Sequence, residues 1–285
     1  MNSFGPITPF EQRLAADARW ALTQGSIYFE QQGLVHETVR RIAKHLGNLG
    51  IDYAVAGGLA LFFHGYRRFT QDVDLVVNRA ALGRIHREKE SLGYFCLFPN
   101  SKHVYDAASG VRIKFLIAGD VVGNSGSPFT IPEPALVAEE LEGLHCLSLP
   151  ALLNLKIASG MSSPLRARDL ADAQELIRIL KLDEDFASHL HPYVQSKYAV
   201  IWAATQPVGR RFVLRWNWNV VGSSPTFDAL ISHASPSDAA LLTSMKAEGI
   251  AIEETNHGYV RLVTTNGRTA DRFEMPDETD YMDEP

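Results

Sequence analysis

Tyr53-Ala-Val-Ala-Gly57-Gly58-Leu59-Ala-Leu-Phe-Phe-His64-Gly65 and, after a short basic loop, Asp72-Val-Asp74-Leu-Val-Val77 decide how this chain folds. The order reads as strand, glycine turn, short helix, loop and a second strand. Successive side chains of a strand alternate between faces, so Asp72 and Asp74 share one face and set two hard oxygen donors side by side. Gly57 and Gly58 lack a Cβ, so backbone N–H groups there can approach a phosphate closely. These are the parts of a metal and nucleotide site. The residues around the aspartates, Val73, Leu75, Val76 and Val77, are apolar. The strand is therefore expected to be buried, and a buried carboxylate without a partner is costly, which a bound cation would relieve.

Outward from that stretch the pattern is mixed. Residues 10–46 carry two helical patterns, Glu11 to Leu22 and Leu34 to Leu46, the second with apolar residues at Val35, Val39, Ile42 and Leu46. After the strand 51–56, a helix over 59–64 and the strand 73–77, a helix is expected over 80–92. Strands follow over 94–98, 102–105 and 111–117, with turns at Pro99-Asn100 and Ser109-Gly110. From Pro150 the periodicity is helical over 151–159, 167–180, 185–190 and 193–203. The expected class is α/β, or α+β: a small mixed sheet, then a helical subdomain and a small C-terminal α+β appendage. The expected division is an α/β domain with N-terminal helices over 1–145, helices over 146–205, a linker over 206–235 with a strand-like piece at 212–218, and an appendage over 236–285. Within the appendage a helix is expected over 236–248 and a hairpin over 250–253 and 259–264. Its tail from Asp277 is acidic.

Bulk properties narrow the classes. With 285 residues, 46% of them hydrophobic, the chain can bury a real core. A net charge of −6 argues against a general nucleic-acid coat and leaves room for a local basic groove. Cys96 and Cys146 are the only cysteines, too few for a disulfide framework or a cysteine zinc motif. The N-terminal residues lack a basic segment followed by an apolar one, and no uncharged run is long enough to span a membrane, so a cytoplasmic protein without membrane association is expected. The ten histidines include no H-x-x-x-H or H-E-x-x-H pair; His189 and His191 read as a helix-end feature, and His64 as a cap or packing residue. Ser159-Gly-Met-Ser-Ser163 lacks the strand-to-helix elbow of a serine hydrolase. Arg210-Arg-Phe-Val-Leu-Arg215-Trp-Asn-Trp218 suits either stacking on single-stranded nucleic acid or a strand packing its aromatics.

Gly57-Gly58 followed by Asp72-x-Asp74 resembles the signature of the nucleotidyltransferase superfamily. A second segment, Lys156 followed by Arg166-Ala-Arg168-Asp169-Leu-Ala-Asp172, resembles the motifs of abortive-infection, AbiEii-type toxin nucleotidyltransferases. The similarity spans roughly residues 30–205. It implies transfer of a nucleoside monophosphate from a nucleoside triphosphate to an acceptor hydroxyl on RNA, particularly tRNA, or on protein. It further implies Mg²⁺ or Mn²⁺ on Asp72 and Asp74, and a cognate antitoxin. Gly57, Gly58, Arg68, Lys156, Arg166, Asp169 and Asp172 become candidate nucleotide-binding residues, although Asp169 also suits the dipole of a helix N-terminus. Arg67, Thr70 and Gln71 share the basic loop with Arg68. Leu59 stands where a hydroxyl is common in the family, which leaves phosphate contacts there to the backbone.

The departure lies in Val111-Arg-Ile-Lys114-Phe-Leu116. Val111, Ile113 and Phe115 form its apolar face, and Lys114 sits where the resemblance implies a third carboxylate, making Asp72, Asp74 and Lys114 the candidate catalytic group. An ammonium cannot ligate a metal, and at ~4 Å from a divalent ion its repulsion would be about 8 kcal/mol at an effective dielectric of 20. Lys114 must therefore point elsewhere, lose its proton or replace one metal, with Asp106 and Asp120 as nearby substitute acids. Two readings follow: a transferase with a single Mg²⁺, or a nucleotide-binding or interaction protein that has lost turnover.

Overall fold

The computed structural model describes residues 8–99, 101–123, 127–206, 212–215, 226–233, 236–247, 251–254 and 259–263. The chain divides into two compact units, Met1–Ala203 and Ala204–Pro285. The first unit holds α1 (Phe10–Ala16), α2 (Ala18–Phe29), α3 (Leu34–Asn48), β1 (Ala54–Ala56), α4 (Gly57–Phe63), β2 (Asp72–Val77) and α5 (Arg79–Glu88). These are followed by β3 (Tyr94–Phe95), β4 (His103–Asp106), β5 (Arg112–Ile117), α6 (Pro134–Val137), β6 (Ala138–Leu141) and β7 (Leu144–Leu147). Then come α7 (Leu149–Ser162), α8 (Ala167–Ile179) and α9 (Pro192–Thr205), with 3₁₀ turns at Pro164–Arg166 and Glu184–His189.

The sheet of this unit is seven-stranded and mixed, in the order β3-β4-β5-β2-β1-β7-β6. β2 is central: it pairs antiparallel with β1 and parallel with β5, in a register that places Asp74 between Ala56 and Lys114, and Asp72 beside Arg112. Strand alternation then sorts the side chains between two cores. Val73, Leu75 and Val77 join Ile113, Phe115 and the apolar face of α3 in one. Val76, Ala54, Ala56 and Leu147 join α7, α8 and α9 in the other. Asp72 and Asp74 share the face of Val76, so the sheet presents them toward α7 and α8. α4 passes between both cores, giving Leu59 and Phe62 to the first and Ala60 and Leu61 to the second, which is why it is apolar all round.

The first expected helix is two. Asp17 breaks it, with an extended backbone and a side chain that accepts a hydrogen bond from the Trp20 N–H at 3.0 Å, so it caps α2 instead of continuing α1. The hairpin β6–β7 went unforeseen because its four-residue strands are short and Ala138–Leu141 is only partly covered. In the second unit, β8 (Phe212–Arg215), β10 (Tyr259–Val263) and β9 (Ala251–Glu254) form an antiparallel sheet in that order, and the unit also holds α10 (Phe227–His233) and α11 (Pro236–Ala247). Only Phe212–Arg215 of the aromatic-basic stretch is described, and the acidic tail lies outside the described residues. Among the described residues no helix is long and apolar enough to cross a membrane.

His36 on α3 is fully buried against the rings of Tyr28, Phe62 and Phe63. Burial, helped by the charge of Arg40, lowers its pKa to about 4. A depressed histidine stabilises the fold while neutral in both states and loses that stability as pH falls, because the unfolded chain takes the proton first. Between roughly pH 6.5 and 4 the loss is about 3 kcal/mol. Urea unfolding across that range should show wild type losing this amount relative to His36→Phe; parallel stability profiles would refute the assignment.

Candidate active site

Gly57 ends β1 with φ at +59°, a left-handed conformation that favours glycine. A Cβ there would lie 2.0 Å from Asp74 Oδ2, so the turn and the carboxylate are built against each other. A Cβ on Gly58 would come within 2.7 Å of Thr70, whose hydroxyl donates to Asp72 Oδ1 at 3.1 Å. The two glycines thus let the α4 turn close over the loop and strand that carry both aspartates. Beside them opens a cleft of about 540 Å³, lined by Gly57, Asp74, Lys102, Asp120, Lys156 and Arg166 among others.

The aspartates differ although they are neighbours. Asp72 accepts from Lys114 Nζ in a short ion pair, meets Arg112 at 3.4 Å and keeps the Thr70 bond. Burial raises its pKa, but the Lys114 hydrogen bond and charge outweigh this and hold it below the usual carboxylate range. Asp74 has Lys114 at 3.9 Å. Burial and the charge of Asp72 push its pKa up to about 6, against the opposing charges of Lys114 and Lys156. Arg112 is flanked in turn by Glu11 from α1 at 3.8 Å.

A second cluster comes from α7 and α8. Lys156 Nζ donates to Asp169 Oδ1 and to Asp172 Oδ2, both at 2.7 Å. Arg68 grips Asp172 with two parallel bonds of 2.8 and 2.9 Å. Ser159 donates to Asp169 at 2.6 Å, and Arg166 reaches Ser159 at 3.3 Å. Burial would raise the Asp169 pKa, but the charge and hydrogen bond of Lys156, with Ser159, hold it low. The sequence spacing of three on one helix face thus places Asp169 and Asp172 together. Of this group, Lys156, Asp169 and Arg166 line the cleft with Asp74 and Gly57.

Other candidates sort by location. Asp106 is no substitute for the third carboxylate: β4 turns it toward α3, where it is buried with Arg41, Thr38 and Ser109. Asp120 does line the cleft, held by Arg79 at 2.5 Å and Lys102 at 2.6 Å. Arg67 lies over the Phe62 ring, Arg168 is exposed, and His64 Nε2 donates to the Leu147 carbonyl at 2.8 Å, a packing role. Sequence reading missed Lys102 as a cleft residue and Arg112 as a partner of Asp72. Lys102 carries no local signal, whereas Arg112 could have been found from its alternation with Lys114 on β5.

Asp72 and Asp74 are the oxygen donors a metal would find here. Two carboxylates on one strand face match what Mg²⁺ takes from a protein when phosphates complete its shell. Among the described residues no group of three or more histidine, cysteine or acidic side chains is placed to hold an ion by itself. Asp72 and Asp74 thus supply two oxygen donors to a divalent ion whose shell other groups would have to complete.

No protein-family model matches the chain, and no curated protein sequence matches it. Among solved structures it is similar to a crystal structure of ANT(2″)-Ia in complex with adenylyl-2″-tobramycin, at 14% identity and a TM-score of 0.38, over 59% of this chain and 95% of that one. It is also similar to a solution structure of the antibiotic-resistance factor ANT(2″)-Ia, at 15% identity and a TM-score of 0.31, over 58% and 94% of the two chains. Likeness of this degree does not assign an activity.

Asp172 is the keystone of the second cluster, because its side chain is 3% exposed and serves two cations at once. Asp172→Ala strands Arg68 and leaves Lys156 with Asp169 as its carboxylate partner, and should cost about 3–5 kcal/mol in urea unfolding. Adding Lys156→Met should recover part of the loss. A single-variant cost below 1 kcal/mol would contradict the arrangement.

Proposed function

We propose that the first unit is a nucleotidyltransferase that moves a nucleoside monophosphate from a nucleoside triphosphate to an acceptor hydroxyl. The observation that carries this reading is the joint construction of Gly57 and Asp74 at the wall of a cleft that Lys156 and Arg166 also line. The resemblance of Gly57-Gly58, Asp72-x-Asp74 and the Lys156 to Asp172 segment to the superfamily supports it, as does a β2–β5 register that gathers the charged side chains on one face.

In this reading the backbone at Gly57 and Gly58 receives phosphate oxygens, and Lys156 and Arg166 face the triphosphate across the cleft. Asp169 and Asp172 hold Lys156 in place, and Asp172 holds Arg68, so the basic side chains are fixed before substrate arrives. Asp74 would hold Mg²⁺ or Mn²⁺, which when bound neutralises triphosphate charge, and Asp72 beside it is engaged by Lys114. The acceptor oxygen forms a bond to the α-phosphorus, the bond to the bridging oxygen breaks, pyrophosphate leaves and the hydroxyl proton passes to water. The cleft carries both signs of charge, from Asp74, Asp120 and Asp169 and from Lys102, Lys156 and Arg166. RNA, particularly tRNA, or a protein side chain is the proposed acceptor class. A role as the toxin of a toxin–antitoxin pair is part of the same proposal and rests on the motif resemblance alone.

A second reading keeps nucleotide binding without turnover. The pairing of Lys114 with Asp72 favours it, since that pairing consumes one of the two metal-binding carboxylates. Incubation with each labelled nucleoside triphosphate, Mg²⁺ and total RNA or cell protein separates the two. Transfer of label that Asp74→Ala lowers at least a hundredfold is the expected result for the enzyme; nucleotide binding with no transfer from any of the four would select the second reading.

A further inference from the structure

Across one face of β2 and β5 the charges alternate, Arg112, Asp72, Lys114 and Asp74, and Glu11 of α1 extends the series beyond Arg112. Each neighbouring pair lies within ion-pair distance: Glu11–Arg112 at 3.8 Å, Arg112–Asp72 at 3.4 Å, Lys114–Asp72 in a short contact and Lys114–Asp74 at 3.9 Å. Lys114 is the cation nearest to both aspartates, and the parallel register of β2 and β5 puts its Cα directly beside that of Asp74. Its side chain is only 31% exposed, so the ammonium is held by the sheet and does not roam in solvent. Arg112 and Thr70 complete the shell of Asp72, whereas Asp74 stands at the cleft wall.

We infer that Lys114 is the resident cation of this site: its ammonium takes the position between Asp72 and Asp74 that a divalent ion would otherwise occupy. Asp72 is then the anchor of Lys114, and the divalent ion that accompanies a nucleotide is held by Asp74 and the phosphates. That last step rests on the nucleotide reading above, while the occupancy by Lys114 does not. The arrangement predicts a protein that holds no divalent ion tightly until nucleotide arrives. It gives the departure from the superfamily pattern a physical role, since one fixed positive charge on β5 replaces both a third carboxylate and the ion it would bind. Like charges repel at this range, so the ammonium and a divalent ion cannot share the two carboxylates.

The test is a Mn²⁺ titration of the full chain without nucleotide, with free Mn²⁺ counted by electron paramagnetic resonance. Lys114→Met and Lys114→Glu should each gain a Mn²⁺ site at least tenfold tighter than any in wild type, and Asp72→Asn added to either should abolish it. Lys114→Arg keeps the charge and should behave as wild type, which separates loss of the cation from disturbance of the strand. Equal Mn²⁺ affinity in wild type, Lys114→Met and Lys114→Glu would overturn the inference, as would a tight Mn²⁺ site in wild type lost in Asp72→Asn. Failure of wild type to bind Mg²⁺ with nucleotide bears on the nucleotide reading instead, so the two failures are distinguishable.

Discussion

Two carboxylates one pleat apart on the central strand of a sheet are the constraint on which the rest of the first unit depends. Their side chains are 15% and 18% exposed, so water cannot screen their repulsion well. The fold answers with cations supplied from neighbouring elements. β5 gives Lys114 and Arg112, α7 gives Lys156, whose charge also acts on Asp74, and the loop before β2 gives the Thr70 hydroxyl. The compensation is unequal, leaving Asp72 ionised and pairing-saturated while Asp74 resists ionisation up to about pH 6. That inequality makes Asp74 the carboxylate with most to gain from an incoming cation.

The second cluster repeats the logic with the signs exchanged. Lys156 is 11% exposed on its side chain, in a helix whose neighbours Leu152, Leu153 and Ile157 are core residues. A buried ammonium needs partners, and Asp169 and Asp172 supply them from one face of α8. Arg68, from the loop between the glycine turn and β2, shares Asp172 and ties that loop to the helices. The charge of Lys156 also acts on Asp74, and Gly57, Asp74, Lys156, Asp169 and Arg166 line the same cleft.

Much of this was legible in the sequence because the relevant signals are local. Period-two alternation placed Asp72 with Asp74 and Arg112 with Lys114, and a spacing of three placed Asp169 with Asp172. Paired glycines before an apolar helix marked the turn. What stayed hidden depends on contacts between distant residues. Nothing near Arg68 announces that Asp172 is its partner, 104 positions away, and Asp106 looked available until β4 turned it toward α3. Asp17 broke a continuous helical pattern through a single cap, and the β6–β7 hairpin was too short for periodicity to reveal. The identity of the Lys114 partner was likewise a matter of register between β2 and β5, which only pairing fixes.

Asp74 and the Gly57 turn beside it are proposed as a cradle for a metal-borne nucleotide. Its most direct test is calorimetric titration of a non-hydrolysable nucleoside triphosphate analogue into wild type and Asp74→Asn, with and without Mg²⁺. Binding to wild type should depend on Mg²⁺ and weaken at least tenfold in Asp74→Asn, with the variant's fold unchanged by circular dichroism. Binding of equal strength in both proteins, or none to wild type by any of the four nucleotides, would contradict it.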